Sequence, residues 1–247
     1  MKQSNTIKTI DSCSVGQIKG FYETSFLDWF GKISSVFFLS GCNLRCPYCH
    51  NHGLVLKPHS FPTIPQQLIE GRLQEFVGWI DGIVISGGEP CLYPQLPDLI
   101  KFFQKLSFPV KLDTNGTKPD MLASLLDDGL IDYVAMDVKA PLDDIRYSRC
   151  VGTSVSVSHI KNSLAILARS KIGYELRMTV CPALIKKRDI KDLAVQLEGV
   201  QKFVLQGFNP KNTLDPDLRS VSPYNNDQIM EFKMILEEYV GECRVMA

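Results

Sequence analysis

Between Gly41 and Asn51 the chain reads Gly41-Cys42-Asn43-Leu44-Arg45-Cys46-Pro47-Tyr48-Cys49-His50-Asn51, a C-x3-C-x2-C run. Three thiolates on one short loop can hold three corners of an iron–sulfur cube. The fourth iron is then left without a protein ligand, much as three-ligand metal sites keep a position open for substrate. Two plainer readings stand beside this one. A Cys3His zinc site could recruit His50 or His52, and a disulfide could form. The spacing argues against zinc, where paired C-x2-C units dominate. A ferredoxin-type cluster needs a fourth cysteine, and none falls nearby at such a spacing. The other five cysteines, Cys13, Cys91, Cys150, Cys181 and Cys243, are scattered singly and read as structural thiols.

Four further stretches carry polar groups that packing alone does not require. Gly87-Gly88-Glu89-Pro90 lets a ligand approach the backbone closely, although a lone Gly-Gly is more often a plain turn. Asp113-Thr114-Asn115-Gly116 ends an apolar run. In Tyr133–Lys139, alternation puts Val134, Met136 and Val138 on one face and Asp137 and Lys139 on the other. Buried charges need partners, so Asp137 and Lys139 could simply be a stabilising pair. Alternatively, Asp113, Thr114 and Asp137 supply oxygens that could gather a small cation. In Tyr174–Val180, Glu175, Arg177 and Thr179 share the polar face, and a structural Glu175–Arg177 pair competes with a ligand-binding role. Lys186-Lys187-Arg188 is a basic cluster that reads first as a solvated helix start and second as a partner contact.

The elements that must position these groups alternate along the chain. Strands are expected at 33–40, 82–86, 110–113, 133–139, 173–181 and 202–206. Helices are expected at 65–80, 95–106, 119–128, 158–170, 189–197 and 226–240, the last reaching Glu242 at most. Six βα units with short connections imply a parallel sheet with right-handed crossovers. Six is short of the eight that close a barrel, so the expected fold is α/β, a partial, open (β/α)6 TIM-type barrel with function at the C-terminal strand ends. Residues 1–32 read as an N-terminal extension of short strands or a hairpin within the same domain, and 33–247 as the core domain.

The cysteine loop, with Tyr48 as the aromatic before the third cysteine, resembles the signature of radical S-adenosylmethionine (SAM) enzymes. The longer match, from Thr24-Ser25-Phe26-Leu27-Asp28 through the loop, is similar to the glycyl-radical-enzyme activases, and within them to the activating proteins of anaerobic ribonucleoside-triphosphate reductase. The resemblance runs from about Gly20 to about Gln206. It implies a [4Fe-4S] cluster on Cys42, Cys46 and Cys49, SAM on the open iron, and hydrogen abstraction from a glycine of a partner enzyme. It implies that Gly87, Gly88 and Glu89 meet the methionine amino group, a carboxylate suiting an ammonium. It further implies SAM contacts from Tyr48, Asp113, Thr114, Asn115, Asp137, Lys139 and Arg177, with a small cation possible near Asp113 and Asp137. The implied partners are a glycyl-radical enzyme, foremost anaerobic ribonucleotide reductase, and a reducing donor such as flavodoxin or ferredoxin. Two departures are visible: Gln206 stands where some activases carry a histidine, and Trp29-Phe30 where reductase activators often have Tyr-Pro.

The whole-chain totals agree with an enzyme of this kind. The 247 residues suffice for one sizeable core. Lys+Arg and Asp+Glu are both 27, which argues against a broad nucleic-acid footprint. No run reaches membrane-span length, and the first residues lack a signal-peptide core, so a cytoplasmic location with reduced thiols is expected.

Overall fold

The computed structural model describes residues 18–246. Eight strands form one sheet in chain order: β1 (Ile18–Ser25), β2 (Ser34–Leu39), β3 (Gly82–Gly87), β4 (Val110–Thr114), β5 (Tyr133–Asp137), β6 (Gly173–Val180), β7 (Lys202–Gly207) and β8 (Glu242–Met246). β1 runs antiparallel to β2, and every later neighbour is parallel. Among the described residues β1 and β8 remain unpaired with each other, so the barrel is open. At its base Arg244 of β8 lies 3.6 Å from the ring centroid of Phe30, in the turn between β1 and β2.

The helices are α1 (His52–Leu56), α2 (Gln66–Glu75), α3 (Leu96–Lys105), α4 (Pro119–Asp127), α5 (Asp144–Val151), α6 (Val157–Arg169), α7 (Lys187–Gln196) and α8 (Asn226–Glu237). Apolar alternation turns Leu112, Val134, Met136, Leu176, Met178, Phe203 and Leu205 outward into the helix layer, where all are buried. α3 answers with Leu96, Leu99, Ile100 and Phe103, and Phe103 packs on Phe37 of β2 with centroids 4.8 Å apart. Burying a side chain of this size contributes roughly 2 kcal/mol, so the outward faces fix the strands and leave the inward faces available for polar groups. Inside the barrel the β2–β3 side is apolar, with Trp29, Val36 and Val84 packed together beside Phe38 and Tyr133.

The six expected parallel strands are β2 to β7, and the antiparallel β1 makes the N-terminal hairpin. Several details differ from the sequence reading, among them the short α1 at the exit of the cysteine loop, where no helix is expected. The last helix stops at Glu237, because the amides of Gly241 and Glu242 bond to Val200 and Gln201 and feed a seventh parallel strand, β8, along β7. The helix expected through Ile80 ends at Glu75, just before Gly78 at φ 84°. α5 was not expected, yet it is well delimited: the Asp143 side chain accepts from the Arg146 amide at 2.9 Å, and Gly152 ends it in the left-handed region.

Candidate active site

The cysteine loop leaves the C-terminal end of β2 and is held almost entirely by backbone. The Gly41 amide bonds to Leu54, its carbonyl receives the Glu89 amide at 2.8 Å, the Gly88 amide reaches Leu39, and the Arg45 amide reaches Val151. The strand end of β3 passes so close that a Cβ on Gly88 would lie 1.9 Å from the Gly41 oxygen. Arg45 folds its guanidinium back onto the carbonyls of Cys42 and Leu44, both at 2.7 Å. Asn51 donates to the Gly87 carbonyl at 2.8 Å, tying the end of the loop to the same strand.

Cys42, Cys46 and Cys49 open together on a cavity of about 300 Å³. Among the described residues they are the only cysteines lining it. Burial pushes the Cys42 thiol up to about 11 and raises Cys46 and Cys49 as well. Facing them, from the ends of β4, β5 and β6, are Asp113, Thr114, Asn115, Asp137, Lys139 and Arg177. Arg177 pairs with Asp113 at 3.2 Å and Asp137 at 3.1 Å, and Lys139 pairs with Asp137 at 3.1 Å. Burial alone would lift the Asp137 carboxyl, but the Lys139 and Arg177 charges outweigh it and hold the group below its ordinary value. Burial likewise opposes the charge on Lys139, and Asp137 more than compensates, so the ammonium is held on.

The profile of the Radical SAM superfamily matches residues 36–197, a span that covers the loop and the whole charged wall. The chain belongs to the radical SAM superfamily.

Similarity within the superfamily extends along nearly the full length. A Methanocaldococcus jannaschii protein named for glycyl-radical enzyme activation is 32% identical over 90% of this chain and 92% of its own. The pyruvate formate-lyase-activating enzyme of Clostridium pasteurianum is 25% identical over 91% of this chain and 98% of its own. This radical SAM enzyme shares its fold with Streptococcus suis SuiB solved with S-adenosylmethionine bound: TM-score 0.61, 14% identity, 84% of this chain and 48% of that one. A TYW1 structure with a lysine–pyruvate adduct gives a TM-score of 0.58 at 18% identity, over 83% and 73%.

The family implies a [4Fe-4S] cluster and SAM, and the donor set fits both. Three soft thiols share one cavity with no fourth cysteine on its wall, and N–H groups of Leu44 and Asn115 already point at the Cys42 sulfur, at 3.4 and 3.8 Å. The histidines that a zinc site would need are turned aside: His50 Nε2 lies 2.9 Å from the Asn209 carbonyl and His52 Nε2 2.8 Å from Asn212 Oδ1.

The sequence-expected residues divide in two. Tyr48, Gly87, Gly88, Asp113, Thr114, Asn115, Asp137, Lys139 and Arg177 all line the cavity. Glu89 does not. Its carboxylate, 1% exposed, accepts from the Asn115 amide at 2.6 Å, the Thr114 hydroxyl at 2.7 Å and the Cys91 amide at 3.0 Å. It braces the end of β3 against the end of β4, and burial raises its pKa. Protein donors thus reach both Glu89 oxygens, which gives the carboxylate a scaffold role. Glu175 also differs: it pairs with Lys111 at 3.3 Å, leaving Arg177 to the two aspartates. Sequence reasoning did not single out Ser86, which lines the cavity and donates to Asp113 at 3.1 Å, or the inward Lys111. Strand alternation around Val84 and Leu112 was the signal for both. Gln206, beside Thr179, occupies the cavity wall near the end of β7. Lys187 and Arg188 are paired with Glu231 and Asp192 on the surface, the arrangement of a solvated helix start.

Proposed function

We propose that this radical SAM enzyme activates a glycyl-radical enzyme, with anaerobic ribonucleotide reductase as the partner. The observation that carries the reading is the convergence of three thiols and a wall of paired charges on one cavity at the C-terminal strand ends. The full-length likeness to a protein named for glycyl-radical enzyme activation points it to a protein substrate. Cys42, Cys46 and Cys49 hold three irons of a [4Fe-4S] cluster. Such a cluster, given one electron by a reductant, would supply the reductive cleavage of SAM that hydrogen abstraction from a glycine Cα requires.

The chain's own residues bind and orient. The Gly87–Gly88 backbone receives the methionine end, with Asp113 and Thr114 as oxygen acceptors near the ammonium. Lys139 is placed for the SAM carboxylate or ribose, and Arg177 holds the carboxylates on either side of it. Tyr48, Leu44 and Val55 line the cavity and exclude water from the loop side. A small cation near Asp113 and Asp137 belongs to the same proposal, as do a flavodoxin or ferredoxin donor and a cytoplasmic location. No helix among the described residues is long and apolar enough to cross a membrane.

The test is anaerobic reconstitution with iron and sulfide, then SAM and a strong reductant, with 5′-deoxyadenosine as readout. Wild type should form it and Cys46→Ala should not; a fully active Cys46→Ala protein would sink the reading. Mixing with the reductase should give a glycine-centred radical signal by electron paramagnetic resonance. A second reading, activation of another glycyl-radical enzyme, is favoured by the likeness to pyruvate formate-lyase activase and by Trp29-Phe30. A signal with a lyase and none with the reductase selects it.

A further inference from the structure

β4 turns Lys111 and Asp113 into the barrel, one below the other. Lys111 is the deeper, with 1% of its side chain exposed. A buried ammonium is costly unless it is paired and hydrogen-bonded. Lys111 lies 3.3 Å from Glu175 Oε1 and 3.6 Å from Asp113 Oδ1, and it donates to the backbone carbonyl of Asp28 in the turn after β1. Above it the charges alternate through Asp113, Arg177, Asp137 and Lys139 to the cavity. Counting Glu175, the column holds three cations and three anions.

Glu175 stands two residues before Arg177 on the same face of β6, and its charge reaches the guanidinium. Arg177 therefore has three carboxylates within its field and bonds to two of them. Glu175 is withheld from it by Lys111, which does not itself line the cavity. We propose that Lys111 is a positioning residue for SAM: by engaging Glu175 it keeps Arg177 on Asp113 and Asp137, and so keeps the wall that receives SAM in register. The inference rests on the SAM-binding reading of the cavity. In Lys111→Met, Glu175 keeps the Tyr133 hydroxyl at 3.5 Å but no cation, and it becomes the nearest unpaired anion to Arg177. Arg177 is drawn down to it, and Asp113 and Asp137 lose their common partner.

The test measures SAM dissociation constants by calorimetry on the full chain with its cluster reconstituted without oxygen. Lys111→Met should weaken SAM binding about tenfold, in the range of substitutions that act through a network rather than by contact. Glu175→Gln should stay within about threefold of wild type, because Lys111 still has Asp113. The double variant Lys111→Met/Glu175→Gln should bind like Glu175→Gln, because the competitor for Arg177 is gone. A lysine that only fills space predicts no such recovery. Lys111→Met binding SAM as tightly as wild type, or a double variant about tenfold weaker than Glu175→Gln, overturns the proposal. If Lys111→Met does not fold, the comparison of the double variant with Glu175→Gln decides alone. Cluster-loaded wild type that does not bind SAM overturns the functional reading itself, which is a separate result from a tight-binding Lys111→Met.

Discussion

On one side of the cavity the loop from Gly41 to Asn51 is fixed by amide–carbonyl bonds to Leu54, Val151 and Glu89, and by a glycine contact too tight for any side chain. On the other side, Asp113, Asp137, Lys139 and Arg177 are fixed by one another's charges. The first side presents thiols that must meet a preformed inorganic group, so its geometry has to exist before the group arrives. Backbone bonding supplies most of that, with the Arg45 guanidinium closing the loop onto the Cys42 and Leu44 carbonyls. The second side faces a flexible zwitterionic ligand, and paired charges can exchange partners with it at little reorganisation. One site thus combines a rigid half set by backbone and an adaptable half set by electrostatics.

Substitutions should therefore separate stability from cluster loading. Arg177→Met leaves Asp113 with only the Lys111 cation and Asp137 with only the Lys139 cation; it should cost up to about 3 kcal/mol in urea unfolding, yet still take up full iron and sulfide. Gly88→Ala forces a Cβ against the Gly41 oxygen. It should cost about 1–3 kcal/mol but lose most of its iron on reconstitution. Iron loss in the first or retention in the second would break the comparison. Glu89→Gln removes an acceptor shared by the two halves and should cost about 1 kcal/mol, with iron content and SAM affinity both reduced. Acid sharpens the contrast. The Asp137 carboxyl is held below its ordinary 3.8 against the pull of burial, so its contribution to stability is complete above that pH and is lost as pH falls through the folded value. Asp137→Asn should be less stable than wild type at neutral pH, and the gap should narrow below pH 3.8 in a pH series of melting curves. Lys187→Ala, in a surface pair belonging to neither half, should shift stability by less than about 0.5 kcal/mol.

The adaptable half was the harder to read from sequence, for a physical reason. A cysteine run is local, so its spacing alone announces the thiol loop. Asp137, Lys139 and Arg177 were legible because period-2 alternation shows which residues turn inward. Partners were not legible, because they depend on which strands are neighbours and at what height. Glu175 and Arg177 look like a pair along β6, yet register sets Lys111 opposite one and two aspartates opposite the other. The donors around Glu89 were hidden for the same reason: only the meeting of β3 with β4 brings all three to it. β8 was hidden because Glu242–Met246 is too short for a pattern and becomes a strand only by pairing with β7.

If the substrate is the proposed protein partner, the unjoined edges of β1 and β8 among the described residues, clasped at the base by Phe30 and Arg244, bear on how it would enter. A closed ring of strands can be entered only end-on. A ring cut along one side and fastened at the bottom is a wedge. A polypeptide bend whose two ends are anchored in a folded body can slide in sideways, without a free terminus and without unravelling. Such a substrate would enter and leave at the rate of a docking step rather than a threading step.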